Sequence, residues 1–387
     1  MTDLDRLLDF AARSRLAGGG FGYLGDDGRV LADRPVETWI VARMTHVFGL
    51  AHLLGRPGAA ELVRHGVVAL TEGPLRDAEH GGWRASTDDD TKTAYVHAFV
   101  LLAGSTAATA GAEGGAALLD DALGIWQHRF WDGDSGLAVE EWDRAWSRLD
   151  DYRGLNANMH GVEASLAAAD AVADAETAGR LRMQALRSTE RAYGWARDRG
   201  WRLPEHFTPA WAPLPDYNRD RPADAFRPFG VTVGHQFEWA RLAVHLRAVS
   251  ENAPAWLLAD AVALFEAAAG RGWAADGQDG FPYTLDWDDR PVVGARMHWV
   301  LCEAIAAASV LAEATGDGAY RGRAVTWREL GERLFADPVT GNWHHELTPT
   351  GEVGPGTWTG QPDAYHLAQM LVLDGRPVRG SVAAALR

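Results

Sequence analysis

Six stretches of this sequence place imidazoles, carboxylates or an arginine inside otherwise apolar runs. "NANMHGVEAS", residues 156–165, sets Asn156, His160 and Glu163 at i, i+4 and i+7, on one face of a helix. "GVTVGHQFEWARL" puts His235 and Glu238 one turn apart. "WIVARMTHVFGLAHL" carries Arg43 and His46, and "TAYVHAFVLL" carries Tyr95 and His97. "GARMHWVLCEA" holds Arg296, His298, Trp299 and Glu303, and "PDAYHLAQM" holds His366. One buried histidine beside its own glutamate is an ordinary core feature. A set recurring in successive helices is hard to explain by packing, because buried polar groups must be paired or face a cavity.

Imidazole titrates near neutrality and can both take and return a proton. Two such groups with an arginine suit proton abstraction beside a carbonyl, the cation stabilising the enediolate oxygen. Sugar isomerisation and epimerisation are reactions of this kind. Two other chemistries fit parts of the pattern. The repeated His-x-x-Glu (160/163 and 235/238) has metal-ligand spacing, but no compact third and fourth ligands accompany it. Glycoside hydrolysis needs two carboxylates across a cleft. Glu140, Glu141, Asp286 and Asp288 are loop candidates, and nothing isolates a pair among them.

The elements that position these residues are helices. Alanine-rich segments with helical period run over roughly 36–54, 58–71, 92–110, 116–130, 156–173, 177–198, 232–249, 254–270, 295–314, 318–335 and 361–373, after an N-terminal amphipathic helix. Between alternate pairs comes a recurring punctuation: "DAEHGGWRAS", "DGDSGLAVEEW", "DRGWRLPEHF", "DGQDGFPYTLDW" and "DPVTGNWHHEL". Each has Asp at a helix end, a turn at Gly82, Gly136, Gly200, Gly280 or Gly341, then residues suited to a short β-hairpin. A self-similar unit of two helices and one glycine-closed loop predicts about twelve helices. The apolar last helix favours closure over an open solenoid. The expectation is all-α: an (α/α)6 barrel, one domain over 1–387, with short β-hairpin loops over a pocket.

Composition bounds the partners. A formal net charge of −16 argues against a nucleic-acid surface, and hydrophobic and charged shares of 47% and 23% describe a globular protein. The single cysteine, Cys302, rules out a disulfide framework and a thiolate metal site. The first residues lack a basic n-region and a long apolar h-region, and no apolar run is long enough to span a bilayer. The expected setting is the cytoplasm. Seventeen tryptophans offer flat apolar faces suited to the C–H faces of sugars as well as to cores.

Taken together, "ARMTHVF", "AYVHAFVLLA", "NANMHGVEA", "FRPFGVTVGHQFEWARL", "RMHWVLCEA" and "DAYHLAQ" resemble the N-acylglucosamine 2-epimerase superfamily. Within it they are most like the bacterial aldose–ketose isomerases of mannose or sulfoquinovose. The resemblance implies an (α/α)6 barrel, no cofactor and no metal, and a monosaccharide substrate. It implies that His235, supported by Glu238, and His366 are the acid/base pair and His160 a pocket histidine assisting ring opening. By the same resemblance Arg43 meets a substrate oxygen, Tyr95 and Asn156 contact sugar hydroxyls, and Trp299 and Glu303 line the pocket, with Arg227 of "FRPFG" a further contact. His46, His97, His298, His344 and His345 are left as structural or surface residues. Gln361 and Pro362 depart from the basic or small polar pair expected there, which favours a neutral sugar such as mannose or lyxose over sulfoquinovose. A sugar 2-epimerase is the alternative on the same fold.

Overall fold

The computed structural model describes residues 3–340, 342–354, 356–357 and 360–387; Gly341 lies outside them. Among the described residues are twelve α-helices, and the strands are two or three residues long. Backbone contacts group the chain into two compact units. The first comprises residues 1–188, 362–365 and 379–387, and the second residues 189–361 and 366–378.

In the first unit, α1 (Asp3–Ala11) precedes three helices buried nearly all round: α2 (Thr38–Leu53), α4 (Ala94–Thr109) and α6 (Leu155–Ala171). α4 packs against both α2 and α6. Outside them, α3 (Ala59–Thr71) lies on α2 and α5 (Gly115–Ile125) on α4, each burying one face only. This alternation follows from sequence: all-round apolar helices must be inner, one-faced helices outer. Close approach of α4 and α5 depends on a missing side chain, since a Cβ on Gly104 would meet the Leu119 backbone nitrogen at 2.8 Å. α7 (Ala175–Asp198) runs from this unit into the next.

The second unit repeats the scheme. α8 (Val233–Ala248) and α10 (His298–Thr315) are the buried helices and pack on each other. α9 (Trp256–Gly272) covers α8, and α11 (Gly318–Phe335) covers α10. α12 (Tyr365–Leu373) closes the series.

Helix limits match the periodicity closely, with three informative differences. α4 and α10 start two or three residues late because Lys92–Thr93 pairs with Glu141–Trp142, and Arg296–Met297 with Glu346–Leu347. α12 starts at Tyr365, not 361: Pro362 disfavours helix before it, and Asp363 Oδ1 accepts the Tyr365 amide at 2.7 Å. The segment 116–130 ends as an α-helix at Ile125 and continues as a wider π turn, Trp126–Phe130.

The Asp–Gly punctuation is a real structural repeat. Asp77, Asp132, Asp276 and Asp337 each accept an amide two residues on, at 3.1, 3.0, 3.2 and 2.9 Å. Gly82, Gly136, Gly200 and Gly280 all have positive φ. The first copy has an extra fastening. Lys92, the chain's single lysine, is fully buried, pairs with Asp77 at 3.0 Å, donates to the Gly81 carbonyl and lies 4.7 Å from the Trp146 ring centre.

Candidate active site

Two clusters of candidate residues form, one in each unit. In the second, α8 contributes His235, Glu238 and Arg241, α10 contributes Trp299 and Glu303, and α12 contributes His366. The Trp299 indole lies beside two imidazoles. Its ring centre lies 5.3 Å from that of His235 and 5.4 Å from that of His366, with interplanar angles of 36° and 33°. The indole reaches this place because α8 has no side chain at Gly234, where a Cβ would lie 2.7 Å from Trp299 Cη2 and 2.9 Å from Val300 Cγ2.

Each imidazole is held by a carboxylate through Nδ1. Glu205 Oε1 is 3.0 Å from His235 Nδ1, and Glu303 Oε1 is 2.8 Å from His366 Nδ1. A carboxylate on Nδ1 selects the Nδ1–H tautomer and assigns proton exchange to Nε2. The expected partner of His235 is corrected here. Glu238 is not the hydrogen-bond partner of His235 Nδ1; that partner is Glu205, in the loop before α8. Glu238 Oε1 instead accepts from Arg241 Nη2 at 3.3 Å, its neighbour on the same helical face. Glu303, expected as pocket wall, is 1% exposed, with Oε1 on His366 Nδ1 and Oε2 accepting from Arg241 Nε at 2.8 Å. Glu238, Glu303 and His366 bring ligand-type atoms within 4.8 Å of one another, a spacing that suits a cation. The Arg241 guanidinium bonds both glutamates of this group.

In the first unit, Arg43 of α2 sits in an aromatic box. Its guanidinium carbon is 5.1, 5.7, 4.2 and 4.6 Å from the ring centres of Trp39, Tyr95, Phe99 and Tyr365. Nη1 donates to Asp363 Oδ2 at 3.1 Å and Nη2 to the Tyr95 hydroxyl at 2.9 Å, while Nε is buried without a hydrogen-bond partner. Burial disfavours the charge, but Tyr95, Asp363 and Tyr365 outweigh it, so the arginine pKa is raised. His160 of α6 stands edge-on to Tyr95 at 5.4 Å, and its Nδ1 is 3.6 Å from Glu163 Oε2, which accepts the Tyr365 hydroxyl. Asn156 is half-buried, and its Oδ1 is a buried acceptor without a hydrogen-bond partner among the described residues. By contrast Asn158, two residues on, is fully committed to the backbone of Ala138 and Gly154.

Arg227 is half-buried in its loop, where its amide donates to Asp224 and its carbonyl accepts from Asn218. Several other candidates are structural. His97 uses both ring nitrogens, Nδ1 on the Thr93 carbonyl and Nε2 on the Trp83 amide, and burial pushes its pKa down to about 3. Arg296 clamps the 276–294 loop through Asp276 and the Gln278, Asp279 and Gly294 carbonyls. Among the loop carboxylates, Asp286 and Asp288 serve their own turn with Arg290. Gln361 is buried and accepts from Asn342 Nδ2. The residues missed at sequence level are Glu205, Arg241, Asp363 and Tyr365. Arg241 was legible three residues after Glu238; the others lie 30 or more residues from their partners.

Imidazole–carboxylate pairs on buried, paired helices are groups that can take and return a proton, the equipment of an enzyme. The chain belongs to the N-acylglucosamine 2-epimerase (GlcNAc 2-epimerase) family, whose model matches residues 19–370. It is 51% identical over 392 residues to a D-mannose isomerase of Thermobifida fusca, covering 98% of this chain and 94% of that one. A D-mannose isomerase of Pseudomonas cannabina pv. alisalensis is 46% identical, with 98% and 93% covered. A crystal structure of D-mannose isomerase superposes with a TM-score of 0.87 at 25% identity, covering 96% of this chain and 95% of the other. The fold class is therefore the all-α (α/α)6 barrel.

Proposed function

We propose that this protein is an aldose–ketose isomerase that interconverts D-mannose and D-fructose, and D-lyxose and D-xylulose, as a single catalytic domain in the cytoplasm. The observation that supports it most is near-full-length identity of 46–51% to two D-mannose isomerases, joined to a pair of carboxylate-held imidazoles on one indole. His235, with Glu205, opens the pyranose ring and moves the hydroxyl proton between O2 and O1. His366 Nε2 takes the proton from C2, leaving a cis-enediol, and returns it to C1. Arg43 steadies a substrate oxygen as charge develops, and Asn156, Tyr95, Arg227 and Trp299 bind the sugar. His160 assists ring opening, and Glu238 keeps Arg241 in place. Metal and cofactor play no part in this scheme.

The test is incubation of protein exhaustively treated with EDTA with D-mannose, followed by chromatography for both fructose and glucose. Fructose is the expected product. Glucose without fructose would make the protein a 2-epimerase, and activity lost on chelation but restored by a divalent metal would overturn the metal-free chemistry. Release of new reducing ends from an oligosaccharide would favour hydrolysis instead.

A further inference from the structure

The two histidine–glutamate pairs differ in one respect. Glu205 gives Oε1 to His235 and has no arginine on its other oxygen among the hydrogen bonds described. Glu303 is divided, with Oε1 on His366 Nδ1 and Oε2 on Arg241 Nε. Arg241 also holds Glu238 through Nη2, and all three charged residues are at most 1% exposed. Such a place sets a strict electrostatic condition. Two carboxylates this close and this buried cannot both stay ionised without a cation; one would take up a proton. Arg241 supplies the cation with a planar fork that reaches both at once.

The consequence falls on the imidazole. An ionised Glu303 can only accept, so Nδ1 of His366 must carry the hydrogen and Nε2 is the base. A protonated Glu303 would donate to Nδ1, and the hydrogen would move to Nε2, where a base is needed. We propose that Arg241, through its bonds to Glu303 and Glu238, is a positioning residue that sets the tautomer of that histidine by keeping Glu303 ionised. This deepens the isomerase reading and rests on it for the assignment of His366 as the base.

The test separates the tautomer from the activity. Histidine is labelled with 15N, and the ring nitrogens of His366, identified by their loss in His366→Gln, are followed in the sugar-free full-length protein. Wild type shows the Nδ1–H form. Arg241→Met shifts His366 to Nε2–H, and its kcat on mannose falls about 10²-fold with KM changed less than about threefold. Adding Glu238→Gln to Arg241→Met removes one of the two competing carboxylates and returns the Nδ1–H signal, whatever that change does to turnover. Arg241→Lys keeps the charge without the fork and gives a mixture of tautomers with kcat about 10-fold down; it decides the matter should Arg241→Met not fold. An Arg241→Met or Arg241→Lys protein that keeps the Nδ1–H form overturns the proposal. If wild type shows Nδ1–H but turns over no mannose, the isomerase reading fails while the tautomer-setting role stands or falls on the spectra.

Discussion

Gly234→Ala adds a single methyl group, beside the two histidines proposed as the acid/base pair and without touching their side chains. In the wild type the Trp299 indole lies against bare backbone there, and the new Cβ would sit 2.7 Å from Cη2 and 2.9 Å from Val300 Cγ2. Carbon atoms rest about 3.5–4.0 Å apart and Trp299 Cζ3 would lie closer still than Cη2, so the indole must retreat by at least about 1 Å. It cannot retreat alone, because both imidazoles lean on it at 5.3 and 5.4 Å. A misplacement of about 1 Å in a catalytic arrangement costs on the order of 10²-fold in rate, or about 2.7 kcal/mol in the barrier. Stability responds less. Overpacking costs about 1–3 kcal/mol, and replacing a first-turn helical glycine by alanine returns less than the about 1 kcal/mol of a helix interior. The expected variant is therefore folded, melts a few degrees lower, and isomerises mannose about 10²-fold more slowly. Initial rates across mannose concentrations and a thermal melt measure both. A folded variant within twofold of wild-type kcat/KM would show that the indole does not set the positions of the histidines.

Two further outcomes follow from the hydrogen bonds. Glu205→Gln removes the anion behind His235 while keeping its shape, so kcat should fall about 10²-fold and Glu205→Asp should recover part of it; unchanged turnover in Glu205→Gln would return the supporting role to Glu238. His97 bears on stability rather than rate. Its pKa is pushed down to about 3 in the folded protein, so the unfolded chain binds a proton first and stability is lost as pH falls below about 6.5. Between about pH 7 and about pH 5 that loss is about 2 kcal/mol, and urea unfolding of His97→Gln should lack it; equal pH slopes in the two proteins would refute the assignment.

The inner helices were legible because polar residues interrupt apolar runs at helical spacing, as in α6 and α8. Their register was legible for the same reason, since i, i+3 and i+4 neighbours share a face. What the spacing could not settle is which of two possible partners a residue takes. Glu238 lies three residues from both His235 and Arg241, and the structure pairs it with the arginine. Partners supplied by loops are harder still. Glu205 reads as part of a turn segment, and only the folded chain brings it to a histidine 30 residues later. Asp363 is 320 residues from Arg43, a separation that no local pattern encodes.

The buried ion pair beneath the first hairpin has a chemical consequence for a protein whose substrate is a reducing sugar. Open-chain aldoses and ketoses condense with unprotonated amines to form Schiff bases, and surface lysines are the usual side-chain victims. Here the one lysine is sealed under Trp146 and tied to Asp77, while the remaining 36 basic side chains are arginines. The folded surface thus presents no lysine ammonium group for glycation, and amine-directed crosslinkers or aldehyde supports would find no side chain to grip.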